Sequence, residues 1–153
     1  MSASKGPEFS GLAIRRLADE CKKEMRQEMS NTEIVNRFIA AMEDRDLESV
    51  MSFFADDATY HNMPMPILTG HEQIRAFIAP LFIEETEKAS WDVLNSAEDA
   101  AGKVLNERVD HLFMRNGTEI HIKVMGIFEL AGGKIVAWRD YFDLKTFTDQ
   151  YPG

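Results

Sequence analysis

The stretch Asn106-Glu107-Arg108-Val109-Asp110 sets a guanidinium and a carboxylate two residues apart. In an extended strand both side chains leave the same face, with Leu112 next in line. Charges on a core-facing strand are costly to bury, so a pair there calls for a use. A second carboxylate comes late, in Ala137-Trp138-Arg139-Asp140-Tyr141-Phe142-Asp143, where Trp138, Asp140 and Phe142 share one face. An early stretch, Thr59-Tyr60-His61-Asn62, puts the phenol of Tyr60 and the amide of Asn62 on one face. If these stretches line one pocket, two carboxylates in dry surroundings do not both ionise readily, and they divide into an acid and a base. Arg108 between them stabilises whichever is charged. A water bonded to a carboxylate, Tyr60 and Asn62 is oriented and made more nucleophilic. A strained three-membered ether suits such a site, because its opening needs only a proton and a water.

The elements that must carry these residues follow from periodicity. Residues 1–10 read as a loose tail and 12–29 as an appended helix with a thin apolar stripe of Ala13, Leu17, Cys21 and Met25. Ser30-Asn31-Thr32-Glu33 fits a capping box. Ile34, Val35, Phe38, Ile39 and Met42 then recur at helical spacing. Asp46 caps a second helix carrying Leu47, Val50, Met51 and Phe54. Asp56-Asp57 marks a turn, residues 58–63 a short strand ended by Pro64 and Pro66, and Gly70 opens a third helix bearing Ile74, Phe77, Ile78 and Leu81. From Trp91 the period becomes two, predicting strands over 90–97, 103–114, 119–130 and 134–143. The domain division is thus 1–30, tail and appended helix, and 31–153, one α+β domain of helices packed on a mostly antiparallel sheet enclosing an apolar pocket. A loop of Ala131-Gly132-Gly133 sets Asp140 opposite Val124 and Phe142 opposite Ile122. Counting Thr118 into the Asn116-Gly117 turn sets Asp110 opposite Val124 as well. Leu112, Ile122, Val124, Trp138 and Phe142 are then the expected pocket lining, with Met63 and Met125 as further candidates.

Bulk properties narrow the partners. The chain has 153 residues, 44% of them hydrophobic, with 26 acids against 17 bases and a net charge of -9. That is enough for one core. No Lys/Arg stripe appears, which argues against nucleic acid and anionic membranes. The lone Cys21 excludes an internal disulfide and suits a reducing cytoplasm. The N-terminus shows no apolar run of the length a signal peptide or membrane span needs. The four histidines, His61, His71, His111 and His121, show no metal-ligand spacing, and no metal is expected. Gly132-Gly133-Lys134 is a turn and not a phosphate loop.

Three motifs together resemble the limonene epoxide hydrolase family, of the NTF2-like, ketosteroid-isomerase-like fold. They are Tyr60-His61-Asn62-Met63-Pro64, Glu107-Arg108-Val109-Asp110 and Trp138-Arg139-Asp140-Tyr141-Phe142-Asp143, in the family's order and at similar separations over about residues 32–149. The resemblance implies a curved sheet in an NTF2-like cone. It implies Asp140 as general base, Asp110 as general acid, Arg108 as the bridge, and Tyr60 and Asn62 as the holders of the water. It implies one-step attack without a covalent intermediate, no metal or cofactor, and a homodimer. The expected partners are a small apolar, cyclic or terpene-like epoxide and water.

Other readings share the fold. An isomerase or polyketide-cyclase-like enzyme would use one Asp to take a proton beside a carbonyl, although an Arg between two acids fits that task poorly. A non-catalytic binding module would need no acid pair. Arg108 and Asp110 alone would serve equally well as a structural ion pair.

Overall fold

Ser30 fixes where the core-building helices begin. Its Oγ accepts from the Glu33 N–H at 3.2 Å, while Glu33 Oε2 accepts from the Ser30 N–H at 2.8 Å. This reciprocal cap satisfies two donors that a helix start would otherwise leave open. The computed structural model describes residues 11–151, apart from the side chains of residues 25–28. The tail expected over 1–10 lies outside the described residues, as does the side chain of Met25 in the stripe of the first helix.

The described residues form five α-helices. They are α1 (Gly11–Glu28), α2 (Asn31–Glu43), α3 (Leu47–Ser52), α4 (Gly70–Ile78) and α5 (Leu144–Gln150). The α1 helix leaves Leu12, Ile14 and Leu17 exposed. In α2 the expected apolar face is buried, and Asp46 caps α3 by accepting from the Ser49 N–H at 3.1 Å. Phe38 of α2 sits at the hub of an aromatic cluster. Its ring meets those of Phe53, Phe54, Trp91, Phe128 and Trp138 edge-on, with centroids 5.1 to 6.3 Å apart. This is the favoured geometry for aromatic quadrupoles. The third expected helix does not stop at Ile78. It continues as a π-helical segment, Ala79–Glu85, with Pro80 in its first turn, so Leu81 lies in the wider turn.

The strands are β1 (Phe54–Met63), β2 (Leu68–Thr69), β3 (Thr86–Glu98), β4 (Val104–Met114), β5 (Glu119–Ala131) and β6 (Lys134–Phe142). They form one sheet in the order β2-β1-β6-β5-β4-β3, antiparallel throughout except that β1 runs parallel to β6. Asp56 and Asp57 belong to β1, where the register against β6 shifts between Phe54 and Thr59; the turn expected there is an irregularity in a strand. The alternation along β5 is as expected: Ile120 and Val124 are buried and Glu119, His121 and Lys123 exposed.

Both hairpin registers differ from expectation. Asp110 faces Ile122, and Arg108 takes the place opposite Val124. The turn draws in Arg115 and releases Thr118, because the Met114 N–H bonds the Thr118 carbonyl at 2.8 Å. Opposite Asp140 stands Gly126, and opposite Phe142 stands Val124. Here Ala131 pairs with Lys134, and the register slips between Glu129 and Leu130. A two-residue glycine turn plus one bulged residue replaces the three-residue loop. The slips total an even number of positions, so every side chain keeps its face while its neighbour changes.

Candidate active site

Strand alternation delivers Asn106, Arg108, Asp110 and Leu112 of β4 to the inner face, all buried. The adjoining inner faces supply Trp138 and Asp140 from β6 and Tyr60 from β1. The parallel pairing of β1 and β6 sets Tyr60 beside Trp138 and Asn62 beside Asp140. The Tyr60 and Trp138 rings stack with centroids 3.9 Å apart and planes 10° from parallel.

Arg108 is completely buried and is the centre of a charge network. Its Nε donates to Asp110 Oδ1 at 2.8 Å, and its Nη2 to Asp110 Oδ2 at 3.3 Å and to Asp140 Oδ2 at 2.6 Å. Its Nη1 donates to Asn106 Oδ1 at 3.0 Å. The guanidinium lies over the Trp91 ring, 4.5 Å from the centroid, a cation–π arrangement. Trp138 Nε1 donates to Asp140 Oδ1 at 2.7 Å, so both oxygens of Asp140 are held.

Two buried carboxylates share this one cation, so one negative charge is left over. Burial lifts the Asp110 carboxyl to about 7 against the opposing pull of Arg108, and the nearby Asp140 charge pushes it further up. Burial also raises Asp140, countered by Arg108 and by the Trp138 hydrogen bond. Burial disfavours charge on Arg108, but the two carboxylates outweigh it and hold the guanidinium above its ordinary value. Burial, followed by the Asp140 charge, keeps the Tyr60 phenol well above its usual range. Asp110 is therefore poised to hold and release a proton near neutral pH, a property suited to general acid work.

Asp110, Asp140, Tyr60 and Asn62 all reach a cavity of about 330 Å³ between the sheet and the helical layer. Leu112, Ile122, Val124 and Phe142 line it, as the sequence indicates. Three expectations need correcting. Trp138 is not part of the lining: it lies behind Tyr60, fully buried, and reaches the site through its hydrogen bond to Asp140. Met125 faces out from the sheet, 44% exposed, and Met63 does not line the cavity, whereas Met65 does. Arg108, expected as a bridge and not as lining, stands behind the acid pair and bonds both acids.

Four contributors escape sequence reasoning. Trp91 lines the cavity beside Asp110, its partner across the β3–β4 ladder. Asn106 holds the free edge of the guanidinium. Gly126 provides room: a Cβ there would overlap Arg108 Nη1 and come within 2.7 Å of Asn106 Oδ1 and 3.0 Å of Asp140 Oδ1. The short α5 helix, capped by Asp143 accepting from the Lys145 N–H at 2.9 Å, brings Phe147 to the cavity, with Tyr151 just beyond its end. The one signal for α5 is an Asp ahead of helix-compatible residues after the last strand.

On the outer face, His111 and His121 meet through their Nδ1 atoms at 2.7 Å, with Asp92 and Glu119 at the far side of each ring. Among the described residues, no three His, Cys, Asp or Glu side chains gather into a metal site.

Residues 29–152 match the limonene-1,2-epoxide hydrolase catalytic domain. The chain belongs to the limonene-1,2-epoxide hydrolase family. It is 30% identical over 111 residues to the epoxide hydrolase EphG of Mycobacterium tuberculosis, spanning 72% of this chain and 71% of that protein. A solved M. tuberculosis LEH-like epoxide hydrolase superposes with a TM-score of 0.68 at 25% identity, covering 78% of this chain and 87% of that one. The α+β cone extends past the limonene-1,2-epoxide hydrolase family. A putative isomerase from Bacillus subtilis shares it with a TM-score of 0.71 at 18% identity, over 80% of this chain and 95% of that one.

Proposed function

We propose that the domain over residues 31–153 hydrolyses a small apolar epoxide to a vicinal diol by one-step acid–base catalysis. The observation that carries this reading is a single buried guanidinium shared by two carboxylates, both opening onto an apolar cavity. Asp140 is the base and Asp110 the acid. With Asp110 at about 7, a large share of it is protonated at neutral pH, while Arg108 and Trp138 favour the ionised form of Asp140. Asp110 Oδ2, with the longer bond to Arg108, is the oxygen better placed to carry the proton.

Asn62 and Tyr60 flank Asp140, so a water bound to the three is aimed into the cavity. As the water oxygen bonds to an epoxide carbon, Asp140 takes its proton. The carbon–oxygen bond of the ring breaks, and the released oxygen takes the proton of Asp110. A proton returned from Asp140 to Asp110 restores the site. Arg108 stays charged throughout, because both carboxylates raise its hold on its proton. The chemistry uses side chains and water alone, with no metal or cofactor.

Labelled water tests the step. A single turnover in H₂¹⁸O should place the label in the diol at once. Oxygen from a carboxylate in the first-turnover product would mean a covalent intermediate and overturn the one-step reading. The Asp110→Asn and Asp140→Asn variants should each lose more than a hundredfold in kcat; near-normal turnover by either would overturn the role given to that residue.

The same proposal includes a homodimer through the outer sheet face, where Met125 and Tyr141 pair across β5 and β6 and stand exposed. Large apolar side chains in adjoining positions suit an interface. Sedimentation of the parent and a Met125→Glu/Tyr141→Glu variant tests it, the variant being expected to run as a monomer. The single Cys21 suits a cytoplasmic setting.

A further inference from the structure

The cavity has a second polar feature besides the acid pair. Tyr151 and Glu85 both line it, and the Tyr151 hydroxyl donates to Glu85 Oε2 at 2.6 Å. The same two residues line an adjoining pocket of about 210 Å³, together with Met114, Arg115 and Asn116. The Tyr151–Glu85 bond therefore spans the boundary between the two spaces.

Its place is fixed by backbone ties. The Arg115 N–H bonds the Glu85 carbonyl at 2.8 Å, and Arg115 Nε bonds the Glu84 carbonyl at 2.7 Å. Arg115 lies five residues beyond Asp110 in sequence, just past the far end of β4, about 17 Å away at the rise of an extended strand. Leu112 lines the wall between. Tyr151 stacks on Phe147, with centroids 5.3 Å apart and planes 15° from parallel. Gln150 fastens α5 to β5 at both polar groups of the His121 backbone, at 2.9 and 3.1 Å. Both partners are thus anchored independently of one another.

The direction of the bond sets what the pair can recognise. The hydroxyl spends its proton on the carboxylate, and the bond to Glu85 raises its hold on that proton. The phenol oxygen keeps its lone pairs, and among the described residues Glu85 Oε1 has no hydrogen-bond partner. The pair is an acceptor site with one negative charge. It suits a neutral donor such as a hydroxyl and repels a carboxylate.

We propose that Tyr151 and Glu85 form a distal subsite for a hydroxyl group, so that the preferred substrate is an elongated epoxide carrying an alcohol at the end remote from the ring. This rests on the epoxide hydrolase reading for what occupies the acid-pair end. It separates such substrates from all-apolar epoxides, which gain nothing at the far end, and from epoxy acids, which are repelled.

Binding of product-like ligands tests it without turnover. Trp91 lines the cavity, so its fluorescence reports occupancy. Decane-1,2,10-triol and decane-1,2-diol share the vicinal diol and differ in the remote hydroxyl. The parent should bind the triol about fivefold more tightly, as expected of one hydrogen bond to a charged acceptor that is exposed to solvent. In a Tyr151→Phe/Glu85→Ala variant the ratio of the two affinities should fall to about one. Equal affinities in the parent, or an advantage that survives in the variant, would overturn the subsite. If the advantage is present and lost as expected but 1,2-epoxydecane is never hydrolysed, the subsite stands and the hydrolase reading falls.

Discussion

Gly126 lies directly across the β5–β6 ladder from Asp140, and the Arg108 guanidinium occupies the space that a side chain at position 126 would need. The approach of the cation to both acids thus depends on a residue with no functional group. A Gly126→Ala variant should push Arg108 off the acids and lose at least a hundredfold in kcat/KM. It should also lose about 2–3 kcal/mol of stability, as overpacking a buried site does. Urea unfolding together with a pH–rate profile checks this. Unchanged kinetics would mean that the network relocates without cost.

Arg108 holds two carboxylates that would otherwise repel each other in the interior. Replacing it as Arg108→Met should cost about 3–5 kcal/mol at neutral pH, the usual penalty for stranding buried charge. The loss should shrink at pH 5, where both raised carboxyls can take protons. Adding Asp110→Asn and Asp140→Asn to the variant should recover much of the stability but none of the activity. Denaturant melts of the three proteins at two pH values decide it.

Asp110 makes stability depend on pH with a defined sign. Its carboxyl sits at about 7 in the folded protein against an ordinary value of 3.8. Between those values the folded state keeps a proton that the unfolded chain has released. Its contribution is therefore full below about pH 4 and lost as pH rises through about 7. The slope approaches about 1.4 kcal/mol per pH unit. Asp140 is shifted the same way, so Asp110→Asn should reduce the slope without removing it. Catalysis should follow the same proton, falling as pH rises past about 7 because the acid is then spent.

Trp138 should act through Asp140. Trp138→Phe keeps an aromatic ring against Tyr60 and deletes the Nε1 donor to Asp140 Oδ1. Without that hydrogen bond the base holds its proton more tightly, so the acid-side limb of the pH–rate profile should move to higher pH. The loss relative to the parent should be larger at low pH than at high pH. A uniform drop at every pH would mean that the indole only fills space.

The faces of the strands were legible because alternation is a local property. Arg108, Asp110 and Leu112 follow from period two within one strand, and the acid of β6 from its aromatic neighbours. The helices α2 and α3 were equally plain, since their caps and apolar stripes are written in adjacent residues, although Phe54, the last of the stripe expected on α3, begins β1 instead. Cross-strand neighbours were not. Whether Asp140 meets Val124 or Gly126 turns on one bulge in β6 and on which residue enters a turn. Single residues of that kind differ little in local preference, and the packing of the whole sheet decides between them. Gly126 was invisible for the same reason. A glycine in a strand reads as a weak point, and its purpose appears only when the side chain of another strand is set against it. The short α5 helix carries too little periodicity to stand out after a strong strand signal.

The parallel pairing of β1 with β6 has a consequence for how the site comes into being. Asp110 and Arg108 are neighbours on one strand, and β4, β5 and β6 follow one another through tight turns. This half of the site closes small loops only. Tyr60 and Asn62 reach Asp140 by joining the early part of the chain to the late part, the costliest loop closure in the sheet. A chain that has paired its hairpins but not yet added β1 would own the acid, the base and the bridge without a cradle for water. Recovery of activity on refolding should therefore lag behind formation of the hairpin sheet, making catalysis a clock for the last strand to arrive.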